Sequence, residues 1–216
     1  MKKNSFRIEH AIILVLVLVI AALGVALGRA RGQSNAYAQG MQAMAASKPD
    51  EAIRLFDKAI AQNPDDPVAQ FGLGWARHLK GELDPALESY KKAVSAGIDA
   101  MQRSYFNMGV ILQGRKATNE AQMAYQSAIT LNPRATGAIY NLAFVYLDLN
   151  KPREALEHFK RAQALDPRNP SIALNVGLVQ ERLGSKGEAV KSFKEALALD
   201  PNLQLAKDKL KALGAS

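Results

Sequence analysis

The periodicity of this chain predicts an all-α solenoid of five helix-turn-helix units with a C-terminal capping helix, preceded by one N-terminal transmembrane helix. Three observations carry that expectation. Alanines recur every 34 or 35 residues, at Ala52, Ala86, Ala121, Ala155 and Ala189. Four residues after each comes a large ring, Phe56, Tyr90, Tyr125, Phe159 and Phe193, and three after that a second alanine, Ala59, Ala93, Ala128, Ala162 and Ala196. Offsets of four and seven share one helical face, so each unit carries the same packing stripe. Finally, residues 11–28 read AIILVLVLVIAALGVALG, eighteen residues without a charge, which is long enough to span a bilayer.

Residues 1–10 form a basic flank, 11–28 the membrane-spanning signal-anchor and 29–32 a short linker. Lys2, Lys3 and Arg7 precede the apolar run and Arg29 and Arg31 follow it, a small bias that places the N terminus in the cytoplasm and the repeats outside it. The opposite orientation stays open. A cleaved secretory signal is the alternative, with Ala36-Tyr37-Ala38 or Ala26-Leu27-Gly28 as small-residue sites, although the run is longer than such signals carry. A buried core helix would need an apolar layer that a linear array does not offer. No cysteine is present for a lipoprotein anchor.

The repeating units are 33–66, 67–101, 102–135, 136–169 and 170–203. Proline ends the second helix at Asn63-Pro64, Asn132-Pro133, Asp166-Pro167 and Asp200-Pro201. The second unit has Ile98 instead and one extra residue, so its junction is expected to be altered. Twelve residues ahead of each first alanine stands Gly40, Gly74, Gly109, Ala143 or Gly177, small enough for two helices to touch. In 204–216 the residues Ala206, Leu210 and Leu213, in phase with Leu203, make a capping helix that covers the last apolar face.

Catalytic chemistry finds no footing. Cysteine is absent, which removes disulfides, thiolate metal sites and a cysteine nucleophile together. The three histidines, His10, His78 and His158, lie far apart in the chain. Glu51, Glu120, Glu154 and Glu188 each precede an alanine at the start of a second helix, where a carboxylate favours the helix dipole. Gly72-Leu73-Gly74 lacks the strand and lysine of a phosphate loop and reads as packing glycine. Half of the net charge of +8 borders the apolar run. The rest is dispersed without arginine clustering, so nucleic acid is not an expected partner. Neither a cofactor nor a metal is expected, and the protein is not expected to be an enzyme.

The period, the small-residue pattern and the helix-ending proline resemble the tetratricopeptide repeat (TPR) family, and the resemblance covers most of the chain. It implies a right-handed superhelix whose first helices line a concave groove for a peptide or helix of another protein. By that register the groove residues are Phe71, Trp75 and His78; Arg103, Phe106, Asn107 and Val110; Tyr140, Asn141 and Phe144; and Leu174, Asn175 and Leu178. Asn107, Asn141 and Asn175 form a row at intervals of 34 residues. A similar row in some family members binds the backbone of an extended peptide, since an amide both donates and accepts. The alternative is that the amides satisfy neighbouring groups of the protein itself. The lining is apolar, to be covered by a partner or by residues 29–38. Tyr37, Met41, Phe71 and Trp75 stand where chaperone-binding members carry basic residues and asparagine, so an acidic chaperone tail is not the expected ligand. Arg103, with Arg182 and Lys80, is a weaker candidate for holding a carboxylate.

The function expected from these residues is a single-pass scaffold in a bacterial cytoplasmic membrane, its repeats on the periplasmic side, that binds a membrane-associated partner during assembly of an envelope complex. The family suggests cytochrome c maturation, pilus assembly or photosynthetic assembly. A permanent structural subunit or a self-assembling spacer is the alternative, and self-association stays open.

Overall fold

The computed structural model describes residues 35–96 and 98–215, and the apolar run 11–28 lies outside them. Among the described residues the regular structure is helical throughout: α1 (35–45), α2 (Pro49–Gln62), α3 (Pro67–Lys80), α4 (Leu83–Ala96), α5 (Ile98–Gly114), α6 (Thr118–Leu131), α7 (Thr136–Asp148), α8 (Pro152–Leu165), α9 (Pro170–Arg182), α10 (Lys186–Leu199) and α11 (Gln204–Ala212). None of these is long and apolar enough to cross a membrane. The helices form two compact units that divide at Gly97 and Ile98. The first holds α1 to α4, the second α5 to α11.

Proline sets most of the boundaries. Asn63, Asn132, Asp166 and Asp200 each precede a proline and leave the helical region, with φ between −135° and −144°. The ring of the following residue disfavours helix there. Four residues then separate α2 from α3, α6 from α7, α8 from α9 and α10 from α11. Pro67 and Pro170 open the next helix with φ already suited to it, and Asp66 and Asn169 cap the backbone N–H of Val68 and Ser171 at 2.9 and 3.1 Å. Between α4 and α5 no proline intervenes. There α5 begins at Ile98, inside the segment expected to close the second unit at residue 101, and runs for 17 residues.

Within each unit the turn from first to second helix has one residue in the left-handed region. Gly81 and Gly184 occupy it at φ 83° and 79°, but so do Ser47, Lys116 and Asn150 at 56°, 59° and 56°. These five positions share one register, to which glycine and asparagine are suited and serine and lysine are not.

The rings Phe56, Tyr90, Tyr125, Phe159 and Phe193 are wholly buried, as are the ten alanines that flank them. A Cβ added at Gly40, Gly74, Gly109 or Gly177 would stand 2.6 to 2.8 Å from the ring of its own unit. Those positions are therefore glycine for lack of room. Gly72 meets Phe56 at 2.7 Å in the same way, so the Gly72-Leu73-Gly74 stretch is packing glycine. In the fourth unit Ala143 packs in the cluster around Phe159. Glu51, Glu120, Glu154 and Glu188 fall in first turns as expected. Polar groups also tie first to second helices: Arg77 donates to Ser89 Oγ at 2.9 Å, and Ser192 Oγ donates to Gln180 Oε1 at 2.7 Å. At the C terminus α11 buries Ala206 and Leu210 against the Phe193 cluster, with Lys209 paired to Glu181 at 2.7 Å. It is a cap.

The segment Ala36-Tyr37-Ala38 lies in α1. Ala36 is buried with Ala59 and Ala69, and the Tyr37 ring is 5.7 Å from Phe56, so processing at this site would strip packing residues from the first unit.

Candidate functional site

The groove residues expected in the first compact unit, α1 to α4, do not form a common lining. Phe71 is buried, its ring 5.8 Å from Tyr90, and belongs to the core. This corrects the expectation, because a 34-residue register gives the face of a helix but not its depth. Trp75 is half-buried against the cluster of Phe56, Leu73 and Ala76. His78 presents its ring edge-on to Tyr90 at 6.5 Å, and burial lowers its pKa from the ordinary value.

In the second compact unit, α5 to α11, the expected residues come together. Phe106 on α5 lies 6.1 Å from Tyr125 and reaches Gly137 on α7, where an added Cβ would stand 3.4 Å from its Cε2. Val110 packs on the same cluster. On α7, Tyr140 and Phe144 meet at 5.1 Å, and both stand edge-on to Phe159, at 5.4 and 5.0 Å. Leu174 and Leu178 on α9 rest on the Phe193 cluster. All of these are half-buried. Among the described residues the large apolar side chains most open to solvent lie elsewhere, at Leu79, Met123, Leu131, Leu199 and Leu205. The first helices therefore present a partly sunken row rather than a bare apolar stripe.

The asparagines show how that row is oriented. Asn141 Nδ2 donates to Tyr125 Oη at 3.2 Å, and Tyr125 Oη donates in turn to Gln113 Oε1 at 3.0 Å. Asn175 Nδ2 donates to Tyr140 Oη and to the Ser171 carbonyl, both at 2.8 Å. The amide nitrogens are thus held by the protein, while among the described residues neither Oδ1 accepts a hydrogen bond. Asn107, half-buried on α5, also has an interaction partner. Burial pushes the Tyr125 phenol up to about 12, against the smaller opposing effect of Asn141, and raises that of Tyr140 against Asn175. Both hydroxyls keep their protons at neutral pH. Tyr125 and Gln113 were not among the expected site residues. The signal that could have found them is a tyrosine at the ring position of one unit followed by an asparagine in the next.

A cleft of about 410 Å³ opens beside Tyr140, lined also by Thr136, Gly137, Asp166, Asn169, Ser171 and Ile172. The basic candidates have partners of their own. Arg182 donates to Asn150 Oδ1 at 2.7 Å, and Lys80, in the first unit, is held between Asp50 and Glu82 at 2.8 Å each. Arg103 is exposed and engaged by a partner of its own. Among the described residues no group of three or more His, Cys, Asp or Glu is assembled.

Models of the family described as Tetratricopeptide repeat match residues 37–100 and 140–203, and 102–134. Among curated proteins the chain is 31% identical to Protein O-mannosyl-transferase TMTC3 of Homo sapiens, over 50% of this chain and 12% of that protein. It is 32% identical to Photosystem I assembly protein Ycf3 of Rippkaea orientalis, over 34% and 43% respectively. To Cytochrome c-type biogenesis protein CycH of Rhizobium meliloti it is 30% identical, over 70% and 40%. The chain thus spans less than half the length of these relatives. Among solved structures the crystal structure of MamA is 28% identical, with a TM-score of 0.69 over 75% of this chain and 94% of that one.

Proposed function

The chain belongs to the tetratricopeptide repeat family, and from that premise we propose that it is a membrane-tethered, non-enzymatic scaffold that holds a segment of a partner protein during assembly of an envelope complex. The observation that carries this reading is the row on α5, α7 and α9. It combines half-buried rings at Phe106, Tyr140 and Phe144 with amides whose nitrogens are anchored inside the protein at Asn141 and Asn175. The rings offer apolar contact area, and the anchored amides turn acceptor oxygens toward a ligand's N–H groups. Residues 11–28 would confine the scaffold to the membrane that carries its partner, which raises the effective concentration of each for the other. The names of Ycf3 and CycH, an assembly protein and a biogenesis protein, agree with such a role.

The test is photocrosslinking in native membranes from a probe at Phe106, with a control probe at the exposed Lys160. A discrete protein captured from position 106 alone is the expected result. Equal capture from both positions, or none from either, would remove the row from the mechanism.

A further inference from the structure

The outer face of α6 differs from that of every other second helix. At positions 123, 126 and 127 it carries Met123, Gln126 and Ser127, where α4 has Glu88, Lys91 and Lys92 and α8 has Glu157, Lys160 and Arg161. The same positions are charged in α2 and α10. Met123 is 67% exposed and Leu131 is 43% exposed, the former unusual for a large apolar side chain on a second helix. The two hydroxyls of the face are satisfied within the helix: Ser127 Oγ donates to the Met123 carbonyl at 2.9 Å, and Thr130 Oγ1 to the Gln126 carbonyl at 3.0 Å. Such hydroxyls are turned back onto their own backbone, so the face loses little when water is removed from it. Beside it Met101 and Tyr105 of α5 complete a cleft of about 410 Å³ with Met123, Ser127 and Leu131.

We propose that this face is where two copies of the chain pair, with α6 against α6, antiparallel about a twofold axis near Ser127. The face suits a second copy because it brings no like charges together at the crossing: about the same axis α4 would set Lys92 against its own copy, α8 Arg161 and α10 Glu195, whereas α6 sets Ser127 against Ser127. The pattern is also self-complementary, as an isologous contact requires. With Ser127 at the crossing, Met123 of one copy lies opposite Leu131 of the other, at the mouth of the Met101–Tyr105 cleft, and the reverse contact is made at the same time. Methionine suits this role because its unbranched side chain adapts to an irregular gap. Serine at the crossing permits close approach of the helices. A single helix crossing buries less than the roughly 1,200 Å² at the lower end of stable interfaces, so the pairing is a weak one that tethering in a shared membrane strengthens.

The chain has no cysteine, so a single introduced thiol reports its own surroundings. The full chain bearing Ser127→Cys, and controls bearing Lys92→Cys or Arg161→Cys at the same register, are purified and mildly oxidised, and the disulfide-linked dimer is measured. A paired geometry raises the local thiol concentration above that of random collision, so about tenfold more dimer is expected from position 127 than from either control. Adding Met123→Glu to the Ser127→Cys chain should return the yield to the control level while the far-ultraviolet circular dichroism is unchanged. Equal yields at the three positions, no dimer from position 127, or a yield indifferent to Met123→Glu would overturn the proposal. So would a Ser127→Cys chain that links to a foreign protein in cells and forms no dimer when pure.

Discussion

Replacing Tyr125 by phenylalanine isolates the hydroxyl that anchors the row. Phe56, Phe159 and Phe193 fill the same buried place in their own units, so the ring itself survives the change. What disappears is the bond donated to Gln113 Oε1 at 3.0 Å and the bond accepted from Asn141 Nδ2 at 3.2 Å. A neutral hydrogen bond contributes about 1 kcal/mol net. Gln113 and Asn141 are both half-buried, so water recovers part of the loss, and the expected destabilisation is about 1 kcal/mol rather than 2. The pH dependence gives a second signature. Burial raises the phenol to about 12 in the folded chain, whereas the unfolded value is about 10. Between these values the unfolded chain gives up the proton and the folded chain keeps it, so this residue's contribution to stability is present below the unfolded value and is lost as pH rises towards the folded one. Phenylalanine has no proton to lose. Urea unfolding followed by helical ellipticity should therefore show an advantage for tyrosine of about 1 kcal/mol at mildly alkaline pH that shrinks once pH passes about 10. A gap that stays constant across that range, or a variant as stable as the parent at neutral pH, would refute the reasoning.

Three further outcomes are expected from the same structure. Ser104 is wholly buried with no hydrogen-bond partner for its hydroxyl, at a register where Ala69 and Ala138 stand in other units, so Ser104→Ala should raise stability by about 1 kcal/mol, and a loss on thermal unfolding would refute this. Lys116 holds φ at 59° where Gly81 and Gly184 sit in the equivalent turns, so Lys116→Gly should stabilise the second unit by about 0.5 to 1 kcal/mol, read as a raised urea midpoint. Burial lowers the pKa of His78, so the unfolded chain takes up a proton first and stability should fall as pH drops through the unfolded value of about 6.5 towards the folded one. His78→Gln should remove that part of the acid sensitivity, and an unchanged pH profile would exclude His78 as its source.

What the sequence made legible follows from sterics that act within one unit. The rings and glycines could be read because a Cβ at Gly109 would stand 2.6 Å from Tyr125, leaving glycine the residue that fits there. The helix ends could be read because proline acts on its immediate neighbour. The left-handed turn was most legible where it is glycine. Asn150 is the non-glycine type that tolerates it best, but at Ser47 and Lys116 the backbone is forced by the short connection between packed helices, which no side chain announces. The asparagine row was visible as a row, but its partners were not. Asn141 is held by a hydroxyl 16 residues earlier and Asn175 by one 35 residues earlier, contacts that depend on which rings of the preceding helices are tyrosine. Phe71 is buried where Phe106, at the same register and against the equivalent ring, is half-buried, so depth differs between positions that the repeat makes equivalent.

Two surfaces of the second unit emerge with opposite chemistry, and the difference decides how each can work. The row on the first helices is half-buried and orients its amides through bonds to the protein, so a ligand there meets groups whose direction is already set. Such preorganisation favours affinity because less ordering remains to be paid on binding. The face of α6 gains nothing from orientation. Its hydroxyls are spent on its own helix, its large side chains are exposed methionine and leucine, and its distinction is the absence of charge. That chemistry suits an adaptable, low-specificity contact such as a helix meeting its own copy. The two surfaces lie on different helices, so replacing Asn141 and Asn175 by alanine should leave the Ser127→Cys dimer intact, and Met123→Glu should leave capture from Phe106 intact. If each change abolished both signals, the row and the α6 face could not be independent, and pairing of copies would have to be a condition for holding the partner.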